Sequence, residues 1–341
     1  MRSDNSSNAS KQVLVTGGTG FLGAQLVRML SQRGNHVRVL DNGSRGQTQR
    51  LSPLLEQIEL IEGDVRDPSV VARAVLGMDA VFHLACVNGT RRFYENPEHV
   101  LDVGLRGTLN VLEASIRASV ADFFFASSSE VYQTPPHVPT PEDVPMQIPD
   151  PRNPRYSYAG AKLVGEILSF SYGRARFART IAFRPHNIYG ADMGFEHVIP
   201  ELTLRLCDLA RKQRFGPLHL PIQGDGTETR AFCHVSDFVE GLSRIEQHGE
   251  DQAVYNIGTN EEISIADLAR AIGAALRREV VVEPSSRRAG STPRRCPDTA
   301  KLEALGYAPR QLLATGLPEA VKWYAAWSER HFDSQARGTG T

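Results

Sequence analysis

Two residues spaced four apart invite chemistry in this chain of 341 residues, before any fold is considered. Tyr158 and Lys162 stand in Tyr158-Ala-Gly-Ala-Lys162, and on a helix that spacing sets both side chains on one face. A phenol, with a pKa ordinarily near ~10, is a poor base at neutral pH. An ammonium one turn away, together with a second positive group, favours the phenolate and makes it a useful proton acceptor. Ser128 stands upstream, at the end of an apolar run. Glu130 follows two residues later, and a single carboxylate there could act first as base and then as acid in an elimination. Ser127 and Ser129 read as strand-end caps, with Ser129 also a candidate substrate contact. Tyr156 is out of phase with Lys162 and reads as structural.

A second constellation lies near the start. Val13-Leu-Val-Thr-Gly17-Gly-Thr-Gly20-Phe21-Leu22-Gly23 places glycines three apart where an apolar β-branched run gives way to a helical pattern. Such a turn lets backbone approach a pyrophosphate, and the following helix N-terminus supplies N–H donors and partial positive charge. The next apolar run ends at Asp41, whose carboxylate can accept two ribose hydroxyls and repels a 2′-phosphate. This favours NAD over NADP, with Arg45 close enough to soften the preference. Asp64 and Val65, after the third apolar run, are candidates to meet the adenine.

These groups need a scaffold. From residue 12 to about 185, short apolar runs alternate with longer amphipathic stretches. Strands are expected at Val13–Thr16, His36–Leu40, Glu59–Ile61, Ala80–Ala85, Asp122–Ser127 and Thr180–Arg184. Helices are expected at Phe21–Arg33, Pro68–Leu76, Pro97–Ala118 and Tyr156–Tyr172. Nearly all-apolar strands alternating with helices make a doubly wound parallel sheet, the Rossmann arrangement of the α/β class. Eight prolines between Pro135 and Pro154 mark an extended loop. Beyond Pro185 the rhythm weakens into a smaller C-terminal substrate-binding cap. Helices there are expected near Glu196–Arg211, Ser236–Glu246, Ile265–Leu276 and Leu312–Glu329, with a Gly/Pro-rich stretch to Gly226. The domains are therefore 12–185, with returning segments near 230–260, and 186–330. Residues 1–11 and 332–341 read as disordered.

Composition excludes several classes. The formal net charge of −1 gives no global field to recruit nucleic acid or an anionic membrane, so any phosphate must be held locally. The four cysteines form no C-x-x-C pair, which fits reduced thiols in a cytoplasmic protein rather than a disulfide framework or a metal site. No apolar run is long enough to span a membrane.

The ordered pieces VLVTGGTGFLG, DNGSRG, GDVRD, VFHLA, GTLNVLEAS, ASSSEVY, YSYAGAK, RPHNIYG, GDGTETRAFCHVSDF, YNIG and RRCPDTAKLEALGY together resemble the extended short-chain dehydrogenase/reductase family, in its nucleotide-sugar epimerase/dehydratase branch. The resemblance implies a tightly held NAD that takes hydride from sugar C4 while Tyr158 removes the hydroxyl proton. Lys162 would lower the tyrosine pKa and hold the nicotinamide ribose, and Ser128 would bond the reacting oxygen. Gly17, Gly20, Phe21, Leu22, Gly23, Leu84 and Ala85 would line the cofactor. Asn187, Arg230, Arg294 and Arg295 would hold the sugar or its diphosphate, and Phe215–Gln223 would meet the base. A homodimer through Pro97–Ala118 and Tyr156–Tyr172 is implied as well. The chain departs from the family pattern at Gly104, usually Asn, and at Cys86-Val87-Asn88.

Oxidation at C4 opens several routes. Returning hydride to the other face gives a 4-epimer, the leading expectation. Glu130 resembles the acid of 4,6-dehydratases and uronate decarboxylases, so dehydration follows, then decarboxylation or oxidation that stops at the ketone. A non-catalytic NAD-binding regulator would tend to lose Tyr158 or Lys162, and a steroid or flavonoid reductase would favour NADP.

Overall fold

The computed structural model describes residues 10–286 and 292–338, with side chains as far as His331. Its centre is a sheet of seven parallel strands: β1 Gln12–Thr16, β2 His36–Asp41, β3 Ile58–Glu62, β4 Ala80–His83, β5 Asp122–Ala126, β6 Arg179–Pro185 and β7 Ala253–Ile257. The spatial order is β3-β2-β1-β4-β5-β6-β7. The chain thus winds outward from β1 in one direction and then returns to β4 to wind outward in the other. The crevice between β1 and β4 is where such sheets receive ligands.

Both faces of the sheet are covered, which is why its strands are apolar without alternation. Phe123 and Phe125 of β5 pack with Leu14, Leu40 and Val81 under the helices Pro68–Val75, Gly107–Arg117 and Ser157–Gly173. Phe124 faces the other way, with Val15, Val39, Phe82 and Phe183, under Phe21–Gln32 and Val235–His248. All three phenylalanines of β5 are essentially inaccessible, each contributing roughly 1.5–3 kcal/mol of burial.

The stretch expected as one helix from Pro97 to Ala118 is broken. Helix Pro97–Leu101 passes into a π turn at Asp102–Arg106 before helix Gly107–Arg117 resumes. Gly104 sits in that turn, and a Cβ there would lie 2.7 Å from the Ala161 Cβ on the neighbouring helix. The glycine is thus a close-approach position beside the Tyr158–Lys162 helix rather than simply a loose point.

The proline-rich loop is anchored from below. Arg184 forms a buried bidentate pair with Glu166 at 2.7 and 2.8 Å, and its Nη1 donates to the Tyr132 hydroxyl at 2.7 Å and the Glu142 carbonyl at 3.0 Å.

The cap has its own core, built on helices Val198–Lys212, Ile265–Ala275 and Leu313–Gly338. The stretch expected as an irregular Gly/Pro-rich loop contains a strand, Leu218–Gln223, paired in parallel with Val280–Ser285. Leu218, Leu220 and Ile222 alternate into the core. At the chain ends the expectation of disorder needs correction. Residues 1–9 and 339–341 lie outside the described residues, but Ser10 donates to the Gly34 carbonyl and Lys11 pairs with Asp122 at 3.3 Å. The last helix also continues to Gly338, its polar residues being compatible with helix. Part of the basic loop after Val282 (287–291) lies outside the described residues.

Candidate active site

A cavity of about 370 Å³ opens at the switch point between β1 and β4. Around it lie Gly17, Gly20, Phe21, Leu22 and Gly23 from the loop after β1, Asp41 from β2, Asp64 and Val65 after β3, and Leu84 and Ala85 after β4. The far end is formed by Ser128, Ser129 and Glu130 after β5, Tyr158 and Lys162 from the helix Ser157–Gly173, and Asn187 and Arg295 from the cap side. Every candidate residue except Arg230, Arg294 and the segment Phe215–Gln223 therefore borders one space.

At the near end the loop is shaped by steric need. Gly17 has φ +74°, and a Cβ there would come within 2.9 Å of the Ala85 backbone, while one at Gly23 would strike the Gly17 carbonyl oxygen. Helix Phe21–Gln32 begins at Gly20 with no side-chain cap and no acid in its first turn, so its leading N–H groups are free for an anion. Asp41 is oriented by N–H bonds from Thr19 at 3.0 Å and Gly43 at 2.9 Å, with lone pairs left for two hydroxyls. Asp64 is clasped by Arg66 at 2.7–2.9 Å and by Asn42, and these bonds hold its carboxyl well below the usual range. Uncapped donors beside an anchored carboxylate fit a dinucleotide. Arg45 does not offset Asp41, because its side chain runs to Glu196, 3.7 Å away on the cap side.

At the far end Tyr158 is buried, its ring stacked on Phe93 at 5.1 Å between centroids. Lys162 Nζ donates to the Ala126 carbonyl at 2.6 Å and sits 5.7 Å from the Tyr158 ring centroid. Burial, then the neighbouring Cys86 thiol and Glu130, push the Tyr158 phenol well above its ordinary range, and the Ser128 hydroxyl draws it down. The protein alone therefore keeps this phenol protonated, and the lowering expected of Lys162 is expected of it only together with the positive nicotinamide ring.

Glu130 pairs with Arg295 at 2.8 Å. Burial raises its pKa, but Arg295, Arg155 and Arg230 outweigh burial and hold it below the usual value. Arg230 does not reach the cavity wall. Its Nη1 donates to the Thr229 carbonyl at 2.7 Å, and burial, with Arg295 nearby, pushes its pKa down to about 10. Arg294 is a correction. It is half exposed and grips Glu262 at 2.6–3.1 Å, since neighbours on the two-residue strand Arg294–Arg295 point to opposite sides and only one can face the site. Asn187, at φ +42°, donates to the Ala231 carbonyl at 3.1 Å. Phe215–Gln223 does not line the cavity: Phe215 is 87% exposed and the rest is the cap strand.

Sequence reasoning missed a set of bridges over the near end. Arg50 donates from Nε and Nη2 to the Asp192 carboxylate at 2.7 and 2.9 Å, and from Nη1 to the Thr19 carbonyl at 3.1 Å. Tyr324 of the last helix secures the other side, accepting from Met193 N at 2.8 Å and donating to the Gly194 carbonyl at 2.9 Å. An arginine in a polar loop gives no signal of such reach.

Residues 13–258 match the family model described as NAD dependent epimerase/dehydratase. The chain belongs to this family. It is an NAD-dependent enzyme that acts on nucleotide sugars. It is 32% identical over 329 residues to dTDP-4-dehydro-6-deoxy-D-allose reductase of Streptomyces bikiniensis, covering 93% of this chain and 97% of that protein. It is 30% identical over 322 residues to UDP-glucuronic acid decarboxylase 5 of Arabidopsis thaliana, covering 93% and 90%. Among solved structures, UDP-glucose 4-epimerase of Thermus thermophilus in complex with NAD aligns with a TM-score of 0.79 at 27% identity, covering 92% and 98%. Three activities thus share the scaffold of this epimerase/dehydratase. Among the described residues no helix is long and apolar enough to cross a membrane, and no cluster of acidic, histidine or cysteine side chains could hold a metal ion.

Proposed function

We propose that this epimerase/dehydratase oxidises C4 of a nucleotide-linked hexose transiently and returns it as the 4-epimer. The observation that carries the reading is the meeting of Ser128, Tyr158 and Lys162 at one end of the dinucleotide cleft, beside the arginines around Glu130. NAD, held by the loop after β1 and by Asp41, would supply a reversible hydride acceptor next to C4. Tyr158 removes the C4 hydroxyl proton and later restores it, and Ser128 donates to or accepts from the same oxygen. Because burial keeps the phenol protonated in the protein alone, base strength depends on positive charge added next to it. Lys162, 5.7 Å from the Tyr158 ring centroid, supplies part of that charge, and an oxidised nicotinamide bound beside it would supply the rest. Asp41 holds the adenosine ribose, and Arg295, which borders the cavity, holds the sugar diphosphate.

Dehydration is the second reading, because Glu130 borders the cavity. It needs an acid for the C6 hydroxyl, however, and Glu130 is held ionised by Arg295 while its neighbour is Ser129. The apolar residues Leu101, Val164, Ile167 and Tyr172 left exposed on Pro97–Leu101 and Ser157–Gly173 favour the homodimer, and light scattering tests it.

The test is mass spectrometry of nucleotide sugars incubated with the enzyme in deuterated water. A product of unchanged mass, no deuterium and altered retention is expected, and Tyr158→Phe should lose turnover while keeping NAD. Loss of water with solvent deuterium would establish dehydration instead.

A further inference from the structure

Three polar residues that the reading above leaves unused form a buried chain between two walls of the site. Thr16 ends β1 and His83 ends β4, and the two are partners in register across the sheet. Thr108 is the second residue of helix Gly107–Arg117. All three are essentially inaccessible. The Ala85 amide donates to Thr16 Oγ1 at 3.2 Å, and Thr16 Oγ1 lies 2.7 Å from His83 Nδ1. Across the ring, His83 Nε2 lies 3.1 Å from Thr108 Oγ1, which donates to the Gly104 carbonyl at 2.6 Å.

The two ends fix the direction of every hydrogen between them, because an amide N–H can only donate and a carbonyl can only accept. With the Ala85 N–H pointing at Thr16 Oγ1, the Thr16 hydroxyl donates to His83 Nδ1. The single proton of the ring is then on Nε2 and is donated to Thr108, whose own hydrogen goes to Gly104. A second proton on the ring would turn Nδ1 into a donor and strand the Thr16 hydrogen. Burial, and after it the charge of Lys162, oppose that proton.

Each end of the chain touches a working part of the site. Ala85 borders the cavity, and its backbone leaves no room for a side chain on Gly17 of the phosphate loop. Gly104, in the π turn, lies flush against Ala161, the residue before Lys162. Phe125 fills the space alongside, its ring centroid 6.0 Å from that of His83 and 5.1 Å from Lys162 Nζ. Apolar side chains of the same shape would serve stability about as well, whereas a fully bonded polar chain adds a fixed relation between its ends. We infer that His83, in its neutral Nε2–H form, is a positioning residue for the oxidation step. Through Thr16 and Thr108 it holds the cofactor-facing turn and the Tyr158–Lys162 helix in register, so that phenol and cofactor wall meet C4 together. The role rests on the C4-oxidation reading.

The first measurement needs no variant. Nitrogen NMR of the NAD-loaded enzyme carrying isotope-labelled histidine should show His83 protonated on Nε2 alone, and a proton on Nδ1 would overturn the inference. Thr108→Val then cuts the chain at one end while the effect is read at the other. Amide exchange at Ala85, three hydrogen bonds away, should speed up on the order of tenfold, and Thr108→Ser should restore it. With UDP- and dTDP-hexoses as probes, Thr108→Val should lower kcat on the order of tenfold and leave KM within about twofold. Thr108→Ser should recover kcat as well. Unchanged exchange at Ala85, or unchanged kcat, would overturn the inference and leave C4 oxidation standing. So would an equal loss in Thr108→Ser, which would make Thr108 a packing residue only. Turnover of no nucleotide sugar by the wild type would remove the C4 reading and the positioning role with it.

Discussion

Replacing Arg50 with Met should loosen the cofactor more than it loosens the fold. The guanidinium makes a bidentate contact to Asp192 and a further bond to the carbonyl of Thr19, inside the phosphate loop. Arg50 is 11% exposed, but Asp192 is 27% exposed, so water can partly replace what is lost. Charged hydrogen bonds are worth ~1.5–3 kcal/mol each when well shielded. With that discount, and with Asp192 held at φ +61°, a loss of about 2 kcal/mol is expected. For a chain of this size that lowers Tm by about 3 °C. The Thr19 contact ties part of this energy to the loop that meets the diphosphate, so NAD affinity should fall on the order of tenfold, about 1.4 kcal/mol. Thermal unfolding with and without saturating NAD separates the two effects. The variant should show both a lower apo Tm and a smaller NAD-induced rise. An unchanged rise would mean that the bridge serves the fold alone, and the reasoning would fail.

Stability should depend on pH through two neutral, buried histidines. His83 lies between the Thr16 and Thr108 hydroxyls, His186 bonds Asn256, and burial pushes both down to about 3. Unfolded histidines take up protons near ~6.5 while the folded ones do not, so the contribution is complete above that pH and is lost as pH falls toward 3. The expected slope is about 1 kcal/mol per pH unit per histidine, and urea midpoints that stay level from pH 7 to 5 would contradict it. Gly104→Ala should cost ~1–3 kcal/mol through overlap with Ala161, seen as a lower urea midpoint with unchanged NAD binding at saturation. Arg295→Ala should raise KM for the nucleotide sugar at least about tenfold, whereas Arg294→Ala should leave it within about twofold, because Arg294 is spent on Glu262.

What can be read from the sequence is what depends on local pattern. The glycine loop, Asp41 and the Tyr158–Lys162 spacing follow from backbone sterics and helix periodicity, and all of them border one cleft. What cannot be read depends on contacts between distant segments. Helical periodicity runs straight through Pro97–Ala118 because a π turn adds a residue without changing the local composition. The strand Leu218–Gln223 is hidden by Pro221 and flanking glycines, although Leu218, Leu220 and Ile222 carry the period of two that marks it. Choosing between Arg294 and Arg295 requires the phase of a two-residue strand. Arg45 reads in the sequence only as a neighbour of the ribose, and its turn toward Glu196 is visible only once the cap is folded over the sheet.

The seventh strand carries a consequence for anyone wishing to exchange specificities between members of this family. Ala253–Ile257 completes the sheet beside β6, yet it is encoded between segments that build the cap. Helix Val235–His248, just before it, packs on the same sheet face. The cap is therefore not a contiguous cassette. A graft cut at Pro185 would carry away a sheet strand and its covering helix, and the recipient would be left with an open edge along β6. A workable exchange needs at least two crossovers, one before Val235 and one after Ile257, so that the recipient keeps its own returning strand while the donor supplies the segments on either side.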